Sequence, residues 1–368
     1  MNSIELRRAL HRHPELSFEE HATQRLIMDA LKAEGIACRP IATTGVMATI
    51  EGQRGNLRRA VVLRADIDAL PIEELNDVEY RSECKGVMHA CGHDMHAAIL
   101  FGVLTTLNRE RDFEGTLIGI FQPGEELNPG GAIKVLEERP FEGYDVAAVI
   151  GEHVDARLEV GEIGICPGRF MASNDEIRLY INGRGGHAAR RHEINDTVTA
   201  MADMVMRTTA LNTPDGVVSI GRVIADGATN VIPDNVMAEG TMRTFSEELR
   251  ERIYTHLHGN AKIVSEKYGV EVKVDINRGY PSVVNDMLLS YEAMIVASDE
   301  GITVRELQPM TTAEDFGHYT ERYHSLFYRL GVGKSAGGSH TATFLPDEGA
   351  IAVGERMMRR IALHILNK

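Results

Sequence analysis

From residue 3 to residue 34 the apolar side chains recur at helix-like intervals. Leu6, Leu10, Leu26, Ile27 and Leu31 carry the pattern, which predicts amphipathic helix. His13-Pro14 divides the segment in two, because a residue before proline is pushed out of helical conformation. Ser17 followed by Glu20 reads as a capping box for the second helix. Further along, the period changes. Val61-Val62-Leu63, Leu117 to Phe121 and Val146 to Ile150 are unbroken apolar runs, the signature of strands buried on both faces. Helices are predicted between them, at about 94–108 and 130–138. Buried strands alternating with helices predict an α/β domain around a central sheet.

Near residue 172 the style changes again. Ile177, Leu179 and Ile181 alternate with polar residues. A helix is predicted at about 194–211, strands near 217–225 and 236–244, a helix at 246–268 starting from Ser246, and a strand near 270–276. The order β-α-β-β-α-β is the ferredoxin-like arrangement. After Tyr280-Pro281 the first style returns, with Leu326-Phe327-Tyr328 as a strand and a last helix from about 348. The economical reading is one α/β domain made of residues 1–171 and 281–368, interrupted by an inserted α+β domain at 172–280. A chain of 368 residues fits two cores better than one.

Composition narrows the function classes. Hydrophobic residues make up 43% of the chain and charged ones 25%, an ordinary globular mix. The formal net charge of −15 argues against a nucleic-acid partner, which needs a basic face. No apolar run approaches the roughly 20 residues that span a bilayer. The N-terminal MNSIELRRALHRHPEL lacks the apolar stretch of a signal peptide, so a cytoplasmic location is expected. Cys38, Cys84, Cys91 and Cys166 are scattered and imply no disulfide framework.

The chemistry-bearing residues cluster just after the predicted strands, where ligands sit in open α/β sheets. His89-Ala90-Cys91-Gly92-His93-Asp94-Met95-His96 offers thiolate, imidazole and carboxylate in one turn, a set suited to zinc or another first-row ion. The plainer alternative is a helix start with Asp94 in its first turn. Glu125-Glu126 follows a strand through Pro123-Gly124. Neighbouring side chains in extended backbone point opposite ways, so one glutamate can bind a cation while the other serves as a base. A solvated acidic helix start is the competing account. Asp66 and Asp68, at i and i+2, share a face and could ligate a cation, orient an imidazole or simply begin a loop. His153 ends a strand, and His340 follows the glycine-rich Ser335 to Ser339.

Taken together, eight segments in register resemble the aminoacylase/carboxypeptidase group of co-catalytic metallopeptidases. They are Leu10 to Leu16, Arg64 to Pro71, His89 to His96, Gln122 to Glu126, Gly185 to Ala189, Asn230 to Pro233, Ala313 to Phe316, and His340 through Glu348. Within the group the chain is most similar to the subfamily of hippurate hydrolase, auxin-conjugate hydrolases and N-acyl-amino-acid deacylases. The resemblance implies a zinc-peptidase-like catalytic domain with a mixed central sheet and an inserted lid that moves and mediates homodimerisation. It implies that Cys91, His93, Glu126, His153 and His340 are metal ligands and that Glu125 is the general base. Asp68 would support the metal site, and Asp66 stands where related peptidases place a metal-binding histidine. His187 would help polarise the substrate carbonyl, and Asn230 and Arg243 would hold the substrate carboxylate. One or two divalent ions per subunit are expected, zinc, manganese, cobalt or nickel. The lid turn departs from the family habit: Arg191 occupies the place of a usual proline.

The expected reaction is hydrolysis of the amide bond of an N-acyl-amino acid or short peptide by water, with Glu125 shuttling the proton. Two other classes compete. A thiol hydrolase would use Cys91 as nucleophile but leaves Glu125, Glu126 and His340 idle. A catalytically silent binding homologue would keep the pocket without the chemistry.

Overall fold

The computed structural model describes every residue, 1–368. The chain divides into two compact units. One comprises Met1–Phe170, Val284–Pro309 and Asp315–Lys368; the other comprises Met171–Val283 and Met310–Glu314.

The larger unit is built on an eight-stranded mixed sheet. In spatial order its strands are Ala37–Ile41, Gly45–Glu51, Thr116–Gln122, Arg59–Asp66, Asp145–Asp155, Ser325–Gly331, Glu162–Ile165 and Thr303–Glu306. The four middle strands, Thr116–Gln122 through Ser325–Gly331, are mutually parallel. Their continuous apolar sequence has this cause: Thr116–Gln122 and Ser325–Gly331 are buried along their whole length. The helix His93–Glu110 packs against both Ser3–Arg12 and Gly349–Leu366. It is apolar on nearly every face because it is enclosed on nearly every face.

The N-terminal helical stretch is two helices, Ser3–Arg12 and His21–Ala33. The capping box expected from Ser17 and Glu20 does not form. Glu20 is the N-cap residue, yet its side chain makes no cap bond. Instead the Glu15 carboxylate accepts from the backbone N–H groups of Ala22 and Thr23. Ser17 and Glu20 are drawn away by tertiary partners: Ser17 Oγ donates to Asp68, and Glu20 accepts from the Gly124 N–H and, through a short bond, from Thr44.

The smaller unit carries a four-stranded antiparallel sheet in the spatial order Gly216–Ile224, Asn235–Thr244, Asp175–Asn182, Glu271–Arg278. With the helices Thr197–Thr209 and Glu247–Tyr268 this gives the β-α-β-β-α-β order of a ferredoxin-like fold. Ile177, Leu179 and Ile181 are fully buried, while Glu176 and Arg178 are exposed and Tyr180 is half-buried. Each buried aliphatic contributes about 2 kcal/mol. Ser246 caps the second helix by accepting from the Leu249 N–H. Asp175 and Arg250 form a buried ion pair beneath the sheet.

Candidate metal centre

The parallel middle strands end on one edge of the sheet, and this places the chemistry. Asp66 ends the strand Arg59–Asp66, and Asp68 follows it. Glu125 and Glu126 follow Thr116–Gln122. His153 lies near the end of Asp145–Asp155, and His340 lies in the loop beyond Ser325–Gly331. Cys91 and His93 arrive from the start of the helix His93–Glu110. That start depends on Gly92, which has φ +88°. A Cβ there would stand 2.6 Å from Val154 Cγ2, so both conformation and space demand glycine.

Five residues with cation-binding atoms meet here. Cys91 Sγ lies 3.2 Å from His153 Nε2 and 3.3 Å from His340 Nε2. Glu126 Oε1 is 3.2 Å from His340 Nε2 and 3.9 Å from His93 Nε2. Cys91, His93 and His153 form one group of mutually close donors; Cys91, Glu126 and His340 form a second; His93, Glu125 and Glu126 form a third.

The hydrogen bonds fix which atoms face inward. His153 Nδ1 donates to the Val154 carbonyl at 2.7 Å, so Nε2 presents its lone pair toward Cys91. Burial drives the His153 pKa well down, favouring the neutral ring that a cation needs. His93 Nδ1 donates to Asp68 Oδ1 at 3.1 Å, leaving Nε2 aimed at Glu126. Asp68 also accepts from Ser17 Oγ at 2.7 Å and from the Glu126 N–H at 3.0 Å. One carboxylate thus orients an imidazole and anchors the backbone of the neighbouring donor. Burial pushes the Asp68 pKa up, but these bonds outweigh it and hold it below the usual value.

The donor set fits a divalent cation. His93 Nε2 is a buried side-chain atom that makes no hydrogen bond, and leaving such a group unsatisfied costs about 1–3 kcal/mol. A thiol, three imidazoles and a carboxylate are the ligands a first-row ion takes. Burial pushes the Cys91 thiol up, with Glu126 adding to it; a bound cation reverses that by taking the thiolate.

Asp66 sits behind this cluster. Its Oδ2 accepts from Arg64 at 2.7 Å and its Oδ1 pairs with His96 Nδ1. His96 Nε2 accepts from the Val154 N–H at 2.9 Å, so both ring nitrogens are engaged. His96 is not among the ligands expected from the sequence; its i+3 relation to His93 on one helix face is the signal that marks it. Arg64 further binds Asp315 and Gln122. Asp315 also accepts from Gln122 Nε2 and from the Ala132 N–H, closing both ends of the loop that carries Glu125 and Glu126. Glu125 is itself buried, at 7% exposure.

The segment Leu10 to Leu16 also gains a physical account. His11 is fully buried, with Nδ1 2.8 Å from Asp94 and Nε2 3.1 Å from Glu74. Arg7 pairs with the same Asp94 at 2.8 Å. Asn76 bridges Glu74 to the Phe344 carbonyl, and His340 N–H donates to Ala90 O. The first helix therefore ties the Cys91 turn to the loop of His340, whose own φ of +62° is unusual for a residue with a side chain.

His187, Asn230 and Arg243 belong to the smaller unit. His187 and Asn230 are exposed neighbours: Val231 pairs with His187, and the Ala188 N–H donates to the Asn230 carbonyl at 2.9 Å. Arg243, on the strand Asn235–Thr244, bonds the Asn174 side chain. With Glu176, Arg178 and Thr241 it lines a hollow of about 450 Å³. Arg190 and Arg191 are 65% and 80% exposed, facing Glu193 and Asp196.

The model of peptidase family M20/M25/M40 matches residues 62–364. The chain is 35% identical to the N-acetyl-L-cysteine deacetylase of Bacillus subtilis (strain 168), over 99% of this chain and 88% of that protein. It is 34% identical to the N-acetyldiaminopimelate deacetylase of Anoxybacillus flavithermus, over 97% and 96% of the two chains. The crystal structure of Bacillus subtilis YXEP protein, described as a dinuclear metal binding peptidase, superimposes with a TM-score of 0.88 at 35% identity, covering 99% and 97%. The chain belongs to peptidase family M20/M25/M40.

Proposed function

We propose that this protein hydrolyses the amide bond of N-acyl-amino acids, releasing a carboxylic acid and a free amino acid. As a member of its family it is a metal-dependent amidohydrolase. In our reading Cys91, His93, Glu126, His153 and His340 hold one or two divalent cations. The observation that carries the proposal is the convergence of these donors, with His93 Nε2 buried and without a hydrogen bond.

Held by these residues, a divalent cation would supply Lewis acidity to the scissile carbonyl and to water. Glu125 takes the proton of the attacking water and delivers it to the leaving nitrogen. Asp68 keeps the His93 ring in its tautomer. His187 donates to the carbonyl oxygen as negative charge builds there. Asn230 and Arg243 receive the substrate carboxylate, Arg243 through its two-pronged guanidinium. The smaller unit serves as lid and joins two subunits. In support of that pairing, the edge strand Gly216–Ile224 exposes Val217 and Val223, and unpaired apolar edges invite strand addition.

N-acetyl-amino acids are the first substrates to try, given the names of the relatives. The test is a panel of N-acetyl, N-benzoyl and dipeptide substrates assayed after loading with zinc, manganese, cobalt or nickel. Turnover of none under any metal would overturn the proposal. The competing thiol mechanism needs an ionised Cys91 without metal, whereas burial raises that thiol.

A further inference from the structure

The helix Met287–Asp299 in the larger unit is apolar on two faces. Leu289, Ala293, Val296 and Ala297 are buried against the unit's own core. On the outer side Met287, Leu288, Tyr291 and Ile295 are 50%, 69%, 51% and 61% exposed. Leu288, Tyr291 and Ile295 follow the three- and four-residue spacing of a single helical stripe. Val284, just before the helix, is 41% exposed. Of the seventeen large apolar residues the chain exposes, five lie between Val284 and Ile295, so this is a patch and not scatter. A helix apolar all round is the mark of one covered on all sides.

Most of the carboxylates around the stripe are paired, and Asp299 at its end is exposed without an ion pair. Glu292 pairs with Lys368 and His364, Glu300 with Arg360, and Asp286 with His324. With two such helices antiparallel, the two Asp299 carboxylates stand at opposite ends of the stripe, so the faces can meet although the chain as a whole carries −15. The exposed fractions amount to about 500 Å², the size of a functional patch. Two copies pairing this face bury about 1,000 Å², the least a specific interface requires.

We infer that this helix face is a contact between two copies of the chain, related by a two-fold axis near Tyr291, with the helices antiparallel. Leu288 of each subunit then packs on Ile295 of the partner subunit, and the interface is self-complementary. The contact lies on the larger unit and is separate from the lid edge, so it stands or falls independently of the catalytic proposal.

The experiment is mass determination by light scattering and sedimentation across a hundredfold dilution. It compares the native chain with Leu288→Lys/Ile295→Lys and with the lid-edge variant Val223→Lys. Both carry surface changes, and circular dichroism checks that they stay folded. The proposal expects the helix variant to have half the native mass, at equal hydrolytic activity per chain, and Tyr291→Cys to form a covalent dimer on mild oxidation while the native chain does not. An unchanged mass for the helix variant at every dilution would leave this face to some other macromolecule and overturn the inference.

Discussion

Arg64 and Asp315, 251 positions apart in sequence, meet at 2.7 Å with both side chains fully buried. Breaking a buried pair strands its other member, at a cost of about 3–5 kcal/mol. Asp315→Ala should therefore lower the unfolding free energy by roughly that amount in a denaturant titration. Because Asp315 also closes the loop from Gln122 to Ala132, amides at 123–131 should exchange hydrogen faster in the variant. A stability change under about 1 kcal/mol would show that Arg64 is satisfied without it.

Glu125→Gln tests the proton carrier. Loss of a general base typically costs about a hundredfold to ten-thousandfold in rate. The expected outcome is a fall of that order in kcat, with metal content by elemental analysis unchanged. Full activity in the variant would remove Glu125 from the mechanism.

Cation removal should abolish turnover, and returning zinc, manganese or cobalt should restore it. The cation binds only the folded cage, so chelation should also lower Tm. Cys91→Ser should reduce the bound metal per chain. Persistent activity after exhaustive chelation would favour the thiol mechanism instead.

His11 gives a pH signature. Burial lowers its pKa, but Asp94 and Glu74 outweigh burial and raise it above the ordinary value of 6.5. A raised folded value means the charged ring stabilises the fold fully below about pH 6.5, the unfolded pKa. That contribution is lost as pH rises through the folded value. The stability gap between native chain and His11→Gln should thus be widest near pH 6 and narrow toward pH 9 in thermal melts. A gap independent of pH would mean that His11 is neutral between its two carboxylates.

Much of the architecture was legible because periodicity reports burial. The apolar runs at 61–63, 117–121 and 146–150 are central parallel strands, and the alternation at 177–181 is the one-sided face of the smaller sheet. Other features leave no periodic trace. Ala37–Ile41, Glu162–Ile165 and Thr303–Glu306 lie outside the central parallel strands and are short, so no long apolar run marks them. Ser17 and Glu20 matched a local cap signal, but stronger partners far along the chain, Asp68 and Gly124, captured them. His96, Gln122 and Asp315 do their work as third parties, bonding to residues that bond to the site. Such roles depend on three-dimensional neighbours, and no spacing rule encodes them.

Cys91 and His340, in contact in the fold, are separated by 249 positions. A chain still being synthesised therefore holds Cys91 and His93 long before its last donor exists. On the proposed ligand set, that interval leaves a soft, incomplete thiol–imidazole clamp open to whichever ion arrives first. Loading with the working cation would then be a problem of timing as well as affinity.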